Sequence, residues 1–374
     1  MRFRLLAIVL PIFIASCADR EILVVKPDAV NVGTARQIFV ATNRDMRADG
    51  AFDLQRSSEV AYQRVTVSVP PSHEPGLIKT RHENPNPERH FTISDIKAFD
   101  GQADYQAALR RAVPKASSDI TDVTFFVHGF NTSYSEAVYR HAQILHDADA
   151  PGAQVTFSWP SAAKVLGYAH DQDSILFSRD GLQEALIATR NASGTPPFLV
   201  AHSMGAMLAM ETLRQTELKQ PGWARRNLAG VVLIAPDIDL DVFKNQLESI
   251  QTLPEPFIVF VSERDRALEI SGLINGREKR LGNDSDISQL GDYPILFFDI
   301  TDFANGVYGD HFTIATSPEM LGLFKSGGLQ KLIQNGAGQL REIAVGGRRI
   351  GVSAKRVNNA IKWVLSPASE PVGG

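Results

Sequence analysis

The sequence predicts an α/β protein built on a mostly parallel, doubly wound sheet with a β-rich N-terminal extension. Three observations carry this. From residue 120 onward, short continuously apolar runs recur at 123–127, 155–157, 198–200, 231–234, 257–261 and 295–298. Strands apolar on both sides belong to sheets covered on both faces. Stretches with helical character lie between them, at 135–147, 174–190, 204–218 and 240–251, and strand–helix alternation makes parallel crossover units. Finally, 374 residues that are 44% hydrophobic and 21% charged can bury a large core.

In chain order, Arg2 and Arg4 precede an apolar run at 5–14. That run is too short to cross a bilayer as a helix and has the length of a secretory leader's apolar stretch. It closes in Ile14-Ala15-Ser16-Cys17, which resembles the lipobox of bacterial lipoproteins. The resemblance implies a signal peptide at 1–16, a diacylglycerol on Cys17, and a lipid-anchored protein of the cell envelope. Ala18 stands where an aspartate would signal retention, which implies sorting to the outer membrane, facing the periplasm. Cys17 is the one cysteine of the chain, so an intramolecular disulfide, a C-x-x-C redox pair and a cysteine zinc cage are all excluded.

Residues 17–36 read as a tether. The stretches 37–42 and 65–69 are β-rich, and Pro70, Pro71, Pro75, Pro85 and Pro87 make 70–90 mostly loop, with a further strand within 89–99. The β-rich span 37–119 precedes a core at 120–324. The segment 325–374 holds eight basic residues against two acidic ones. It reads as a solvated, frayed tail, or as a patch drawn to an anionic surface.

The most informative stretch is Ala201-His202-Ser203-Met204-Gly205, with an apolar strand before it and a helix after it. It resembles the G-x-S-x-G nucleophile elbow of α/β-hydrolases, with Ala201 in the first glycine position. Small flanking residues suit a turn where strand and helix pack closely. That fold orders its residues Ser, acid, His. Of nine histidines, His311 alone follows Ser203, and it lies just beyond the last apolar run. Two acids are open: Asp265, after 257–261, and Asp237, after 231–234, whose other role would be to cap the helix beginning near Leu240. His128-Gly129-Phe130 is similar to the family's oxyanion turn, which implies that the Phe130 and Met204 N–H groups receive a developing oxyanion.

Together with Val40-Ala-Thr-Asn-Arg44, Val67-Ser-Val-Pro-Pro71, Phe157-Ser-Trp159-Pro160-Ser161, Phe177-Ser-Arg-Asp180 and Ala235-Pro-Asp-Ile-Asp239, these motifs resemble a bacterial esterase/lipase-like family of α/β-hydrolases over roughly 37–315. Most of that family is known only as a domain of unknown function. The resemblance implies a serine hydrolase cleaving carboxylic esters through Ser203, His311 and Asp265. Two alternatives remain: an acyltransferase or amidase using the same residues, and a non-catalytic envelope scaffold. About twenty residues between Asp237 and Phe257 leave room for one helix, so an open site is expected, with Phe130, Tyr134 and Trp159 as candidate walls. There is no HExxH, P-loop or complete G-x-G-x-x-G string, so no metal or other cofactor is expected. A net charge of −4 lacks the signature of a nucleic-acid binder. The expected partners are a small acyl ester or lipid and a membrane reached through the anchor; the oligomeric state is left open.

Overall fold

The structure is a computed structural model. It describes residues 24–47, 51–81, 83–114, 122–276, 280–284, 286, 288–304, 311–328, 331, 342–345 and 348–367. Residues 1–23, where the leader and the Cys17 anchor are expected, and residues 305–310 before His311 lie outside the described residues.

Twelve strands form one sheet. They are β1 (Thr34–Met46), β2 (Phe52–Val69), β3 (Thr92–Phe99), β4 (Val123–Val127), β5 (Ala153–Ser158), β6 (Phe198–His202), β7 (Gly230–Ile234), β8 (Phe257–Val261), β9 (Ile295–Asp299), β10 (Glu342–Val345), β11 (Arg348–Val357) and β12 (Ala360–Pro367). Their order is β10-β11-β12-β9-β8-β7-β6-β4-β5-β1-β2-β3. From β12 to β1 every neighbouring pair is parallel, while β2, β3, β10 and β11 join antiparallel at the two sides. The continuously apolar runs become β4 to β9, and β5, β7 and β8 are buried at every residue because helices cover both faces. The chain leaves β4 for β5 on one side and returns to β6 on the other. The β4–β6 pair is therefore the switch point of the sheet, where such folds open a crevice at the strands' carboxyl ends.

The expected N-terminal strands are continuous with this sheet. β1 pairs parallel with β5, Phe39 opposite Val155, and β2 runs along β1 from Val69 back to Phe52, well beyond the expected 65–69. The helix expected at 174–190 is two, Tyr168–Phe177 and Arg179–Ser193. They part at Ser178, which is buried and whose hydroxyl takes the Asn43 amide at 3.0 Å.

The tail reading of 325–374 is corrected over 342–367, which supplies three strands. β12 lies parallel to β9 with Ile361 opposite Leu296, and Trp363, 1% exposed, stacks on Phe298. Lys362, on the opposite side of the strand, pairs with Asp299 at 2.9 Å. The strand signal in β11 is a period of two, with buried Ile350 and Val352 between exposed Arg349 and Ser353, and in β12 Lys362 alone interrupts an apolar run from Ala360 to Leu365; the basic residues gave the segment its tail-like composition. Trp363→Ala is expected to destabilise the protein by about 3–5 kcal/mol, since it empties a filled site between β12 and the core. Urea unfolding measures this; an unshifted midpoint would mean that the C-terminal strands add nothing to the cooperative unit.

Candidate active site

Ser203 sits on the turn between β6 and the helix Met204–Lys219, with φ +54 and ψ −124. That is a costly backbone for a non-glycine residue, held by its surroundings. Its N–H donates to Ile234 O at 3.0 Å, and its carbonyl accepts from Ala206 and Asp237 N–H groups. The small residues around it have steric causes. A Cβ on Gly205 would lie 2.2 Å from His128 O, and one on Gly129 would lie 2.9 Å from the Ser203 Cβ. Glycine at these positions lets the turn after β4 press against the elbow after β6. Phe130 follows Gly129 on that turn, and Met204 opens the helix, where an N–H has no intrahelical acceptor.

The structure brings Ser203, His311 and Asp265 together. His311 Nε2 is 2.7 Å from Ser203 Oγ, and His311 Nδ1 is 2.7 Å from Asp265 Oδ2. Asp265 is fully buried; its Oδ1 caps the helix Arg266–Ile274 by accepting from Leu268 N–H, which fixes the direction of Oδ2. Burial opposes protonation of His311, but the charge and hydrogen bond of Asp265 outweigh it and hold the imidazole pKa above the usual histidine range.

Asp237, the alternative acid, is engaged elsewhere. Its Oδ1 takes Arg280 Nε at 2.7 Å and the Ser271 hydroxyl at 2.6 Å, and its Oδ2 takes the Tyr168 hydroxyl at 3.0 Å. Nor does it cap the following helix: Asp239 does, accepting from Asp241 and Val242 N–H groups. Two candidate walls are core residues. Trp159 is fully buried behind the site, stacked on His128 and donating Nε1–H to His128 O. Tyr134 is fully buried, with its hydroxyl on Gln63 Oε1. Phe130 is half-buried, edge-on to Tyr168.

Three residues support the site; His202 packs structurally, as its place on the elbow leads one to expect, while sequence reading missed Arg44 and Asp171. His202 places Nε2 3.1 Å from the carbonyl of His311, and its ring packs on Phe312 and His311. Burial, followed by the charge of His311, holds it well below the usual histidine pKa, so it is neutral at pH 7. Arg44, 1% exposed, donates to Ser158 Oγ, Ser161 O and Thr132 O. Asp171, fully buried, accepts from Ser161 Oγ, Ala162 N–H and Asn131 N–H. The last two brace the turn after β4, in which Asn131 has φ +53. The motif strings containing Arg44 and Ser161 were the available signal; no spacing rule connects them.

A cleft of about 570 Å³ opens beside the serine, bounded by Gly129, Asn131, Arg140, His202, His311 and Phe312. Among the described residues, one group could hold a metal ion: His73, His146 and Asp147, whose ligand atoms lie within 4.8 Å of one another. None of the three lines the cleft. His73 Nε2 and Asp147 Oδ1 are 2.6 Å apart, and Asp147 Oδ2 takes Gly76 N–H and Gln143 Nε2, so the cluster clamps the 73–76 loop to the helix Tyr134–Asp147.

The sheet order, with an elbow serine at its switch point, defines the α/β-hydrolase fold. The chain belongs to the family described as "Alpha/beta hydrolase of unknown function (DUF900)", whose profile matches residues 102–334. Among solved structures, the chain is similar to Aspergillus fumigatus lipase B, at 13% identity and a TM-score of 0.28, covering 41% of each chain. It thus spans less than half the length of that lipase. It is similar to TT1662 from Thermus thermophilus at 14% identity and a TM-score of 0.34, covering 58% of this chain and 90% of that one. It is also similar to a hyperthermophilic esterase from the archaeon Pyrobaculum calidifontis at 10% identity and a TM-score of 0.32, covering 80% and 87%. No curated protein matches the chain.

Proposed function

We propose that the protein is a serine hydrolase of carboxylic esters. The carrying observation is the continuous hydrogen-bonded line from Asp265 through His311 to Ser203 Oγ, at 2.7 Å in both steps. In this reading His311 Nε2 takes the hydroxyl proton as Ser203 Oγ bonds to the ester carbonyl carbon. The carbonyl oxygen becomes the oxyanion, received by the Phe130 and Met204 N–H groups. Collapse expels the alkoxide, which His311 protonates. Water, deprotonated by His311, then attacks the acyl-enzyme and frees the acid and Ser203. Asp265 holds the tautomer with the proton on Nδ1 and favours the imidazolium that forms in each step. Fluorophosphonate labelling tests the reading: the probe is expected on Ser203 of the folded protein at neutral pH, and absence of labelling would sink it.

The proposal extends to location: Cys17 carries a lipid that ties the enzyme to the cell envelope, on the periplasmic face of the outer membrane. The lipobox-like Ile14-Ala15-Ser16-Cys17 supports this, and several buried acyl chains give stable anchoring. Among the described residues, no helix is long and apolar enough to cross a membrane. Cys17→Ser is expected to move the protein from the membrane pellet to the soluble fraction with ester hydrolysis retained. Unchanged pelleting would remove the anchor from the proposal.

A further inference from the structure

His202 ends β6, directly before the nucleophile, and its ring meets two other parts of the site. Its Nε2 lies 3.1 Å from the carbonyl of His311. A carbonyl can only accept, so Nε2 carries the proton of the neutral ring and Nδ1 carries none. That bare nitrogen faces the turn after β4, where a Cβ on Gly129 would come within 2.7 Å of it. Glycine at 129 leaves room for the ring. The ring also packs on Phe312, with centroids 4.0 Å apart, and on His311 at 4.8 Å.

Packing accounts for a flat filler at this position, but not for a donor aimed at a backbone carbonyl. The side-chain bonds of His311, to Asp265 through Nδ1 and to Ser203 through Nε2, set how its imidazole is turned. The reach of Nε2 toward Ser203 Oγ also depends on where the His311 backbone lies. β6 is paired on both sides, to β4 and to β7, and so gives a firm reference. A bond from His202 to the His311 carbonyl ties the backbone of the base to the strand that carries the nucleophile. Misplacing a catalytic group by about 1 Å can cost about 100-fold in rate.

We propose that His202 is a positioning residue: through Nε2–H it fixes the His311 backbone relative to Ser203, and so sets the distance over which the serine proton passes. This rests on the serine hydrolase reading. The test compares two substitutions that trade packing against donation. His202→Phe keeps a planar ring and loses the donor, whereas His202→Gln loses the ring and keeps an amide N–H. With 4-nitrophenyl butyrate, His202→Phe is expected to lower kcat by about 10–100-fold while KM changes by less than about twofold. Fluorophosphonate labelling should slow in parallel, since phosphonylation of Ser203 uses the same base. His202→Gln is expected to keep more of both rates than His202→Phe, although it fills the space less well. Packing alone gives the reverse ranking; that ranking, or a His202→Phe kcat equal to wild type, overturns this inference alone. Nitrogen-15 NMR of the wild type at neutral pH does not depend on either variant folding. It is expected to show His202 neutral with its proton on Nε2, and a proton on Nδ1 or a charged ring overturns the inference. A folded wild type that neither labels nor hydrolyses the ester overturns the hydrolase reading and this inference with it.

Discussion

Ser203→Ala is expected to abolish fluorophosphonate labelling and to lower ester turnover by about 10⁶-fold, the scale seen when a serine nucleophile is removed. The substitution deletes one oxygen, the atom 2.7 Å from His311 Nε2. It leaves the other contacts of the elbow in place, because Ser203 holds its neighbours through its own N–H and carbonyl. Circular dichroism and the melting temperature should therefore stay near wild type, which separates a missing nucleophile from a missing fold. Retained labelling in this variant would place the reactive group elsewhere. Retained turnover without labelling would point to chemistry that needs no serine.

The second large effect separates the two acids. Asp265→Asn is expected to lower kcat by about 10⁴-fold, because an amide cannot favour the imidazolium and permits the wrong imidazole tautomer. The pH profile gives a further signature. A protonated His311 cannot accept the serine proton, so kcat/KM falls as pH drops through the imidazole pKa. In the wild type that pKa is raised by Asp265 against the effect of burial, which puts the acid limb above the usual histidine midpoint of about 6.5. In Asp265→Asn the raising charge is gone and the limb moves to lower pH. Asp237→Ala should behave differently. Removing it strands the buried Arg280 guanidinium, 9% exposed, at a cost of about 3–5 kcal/mol in stability. Its turnover, measured well below the melting temperature, should fall far less than that of Asp265→Asn. The reverse ranking in kcat would assign the acid to Asp237.

Much of this was legible in the sequence, for identifiable reasons. Buried parallel strands must be apolar at successive positions, so β4 to β9 announced themselves as runs. The elbow was readable because its constraints are local: Gly205 has no room for a Cβ against His128 O, and neighbours in sequence are neighbours in the turn. The choice between Asp237 and Asp265 was not local. Both follow buried strands, and only Arg280, Ser271 and Tyr168, drawn from separate elements, show what Asp237 is for. Arg44 and Asp171 act across sequence separations of 88 and 40 residues on the turn after β4, beyond the reach of any periodicity. The C-terminal strands were hidden by composition, since the eight basic residues of 325–374 drew the reading away from buried Ile350, Val352, Ile361, Trp363 and Leu365.

The family profile begins at residue 102 and ends at 334, yet groups that shape the site lie outside both limits. Arg44, on β1, grips the turn carrying Phe130 through Thr132 O, and Trp363, on β12, seals the flank of the strand that leads toward His311. Cutting the gene at the limits of the profile would strip the turn carrying Phe130 of its buried brace and lay β9 open as a bare sheet edge, an invitation to aggregation. The smallest unit worth expressing runs from β1 through β12. For relatives matched only over the profile, an inactive or insoluble fragment would therefore speak to where it was trimmed and leave their chemistry undecided.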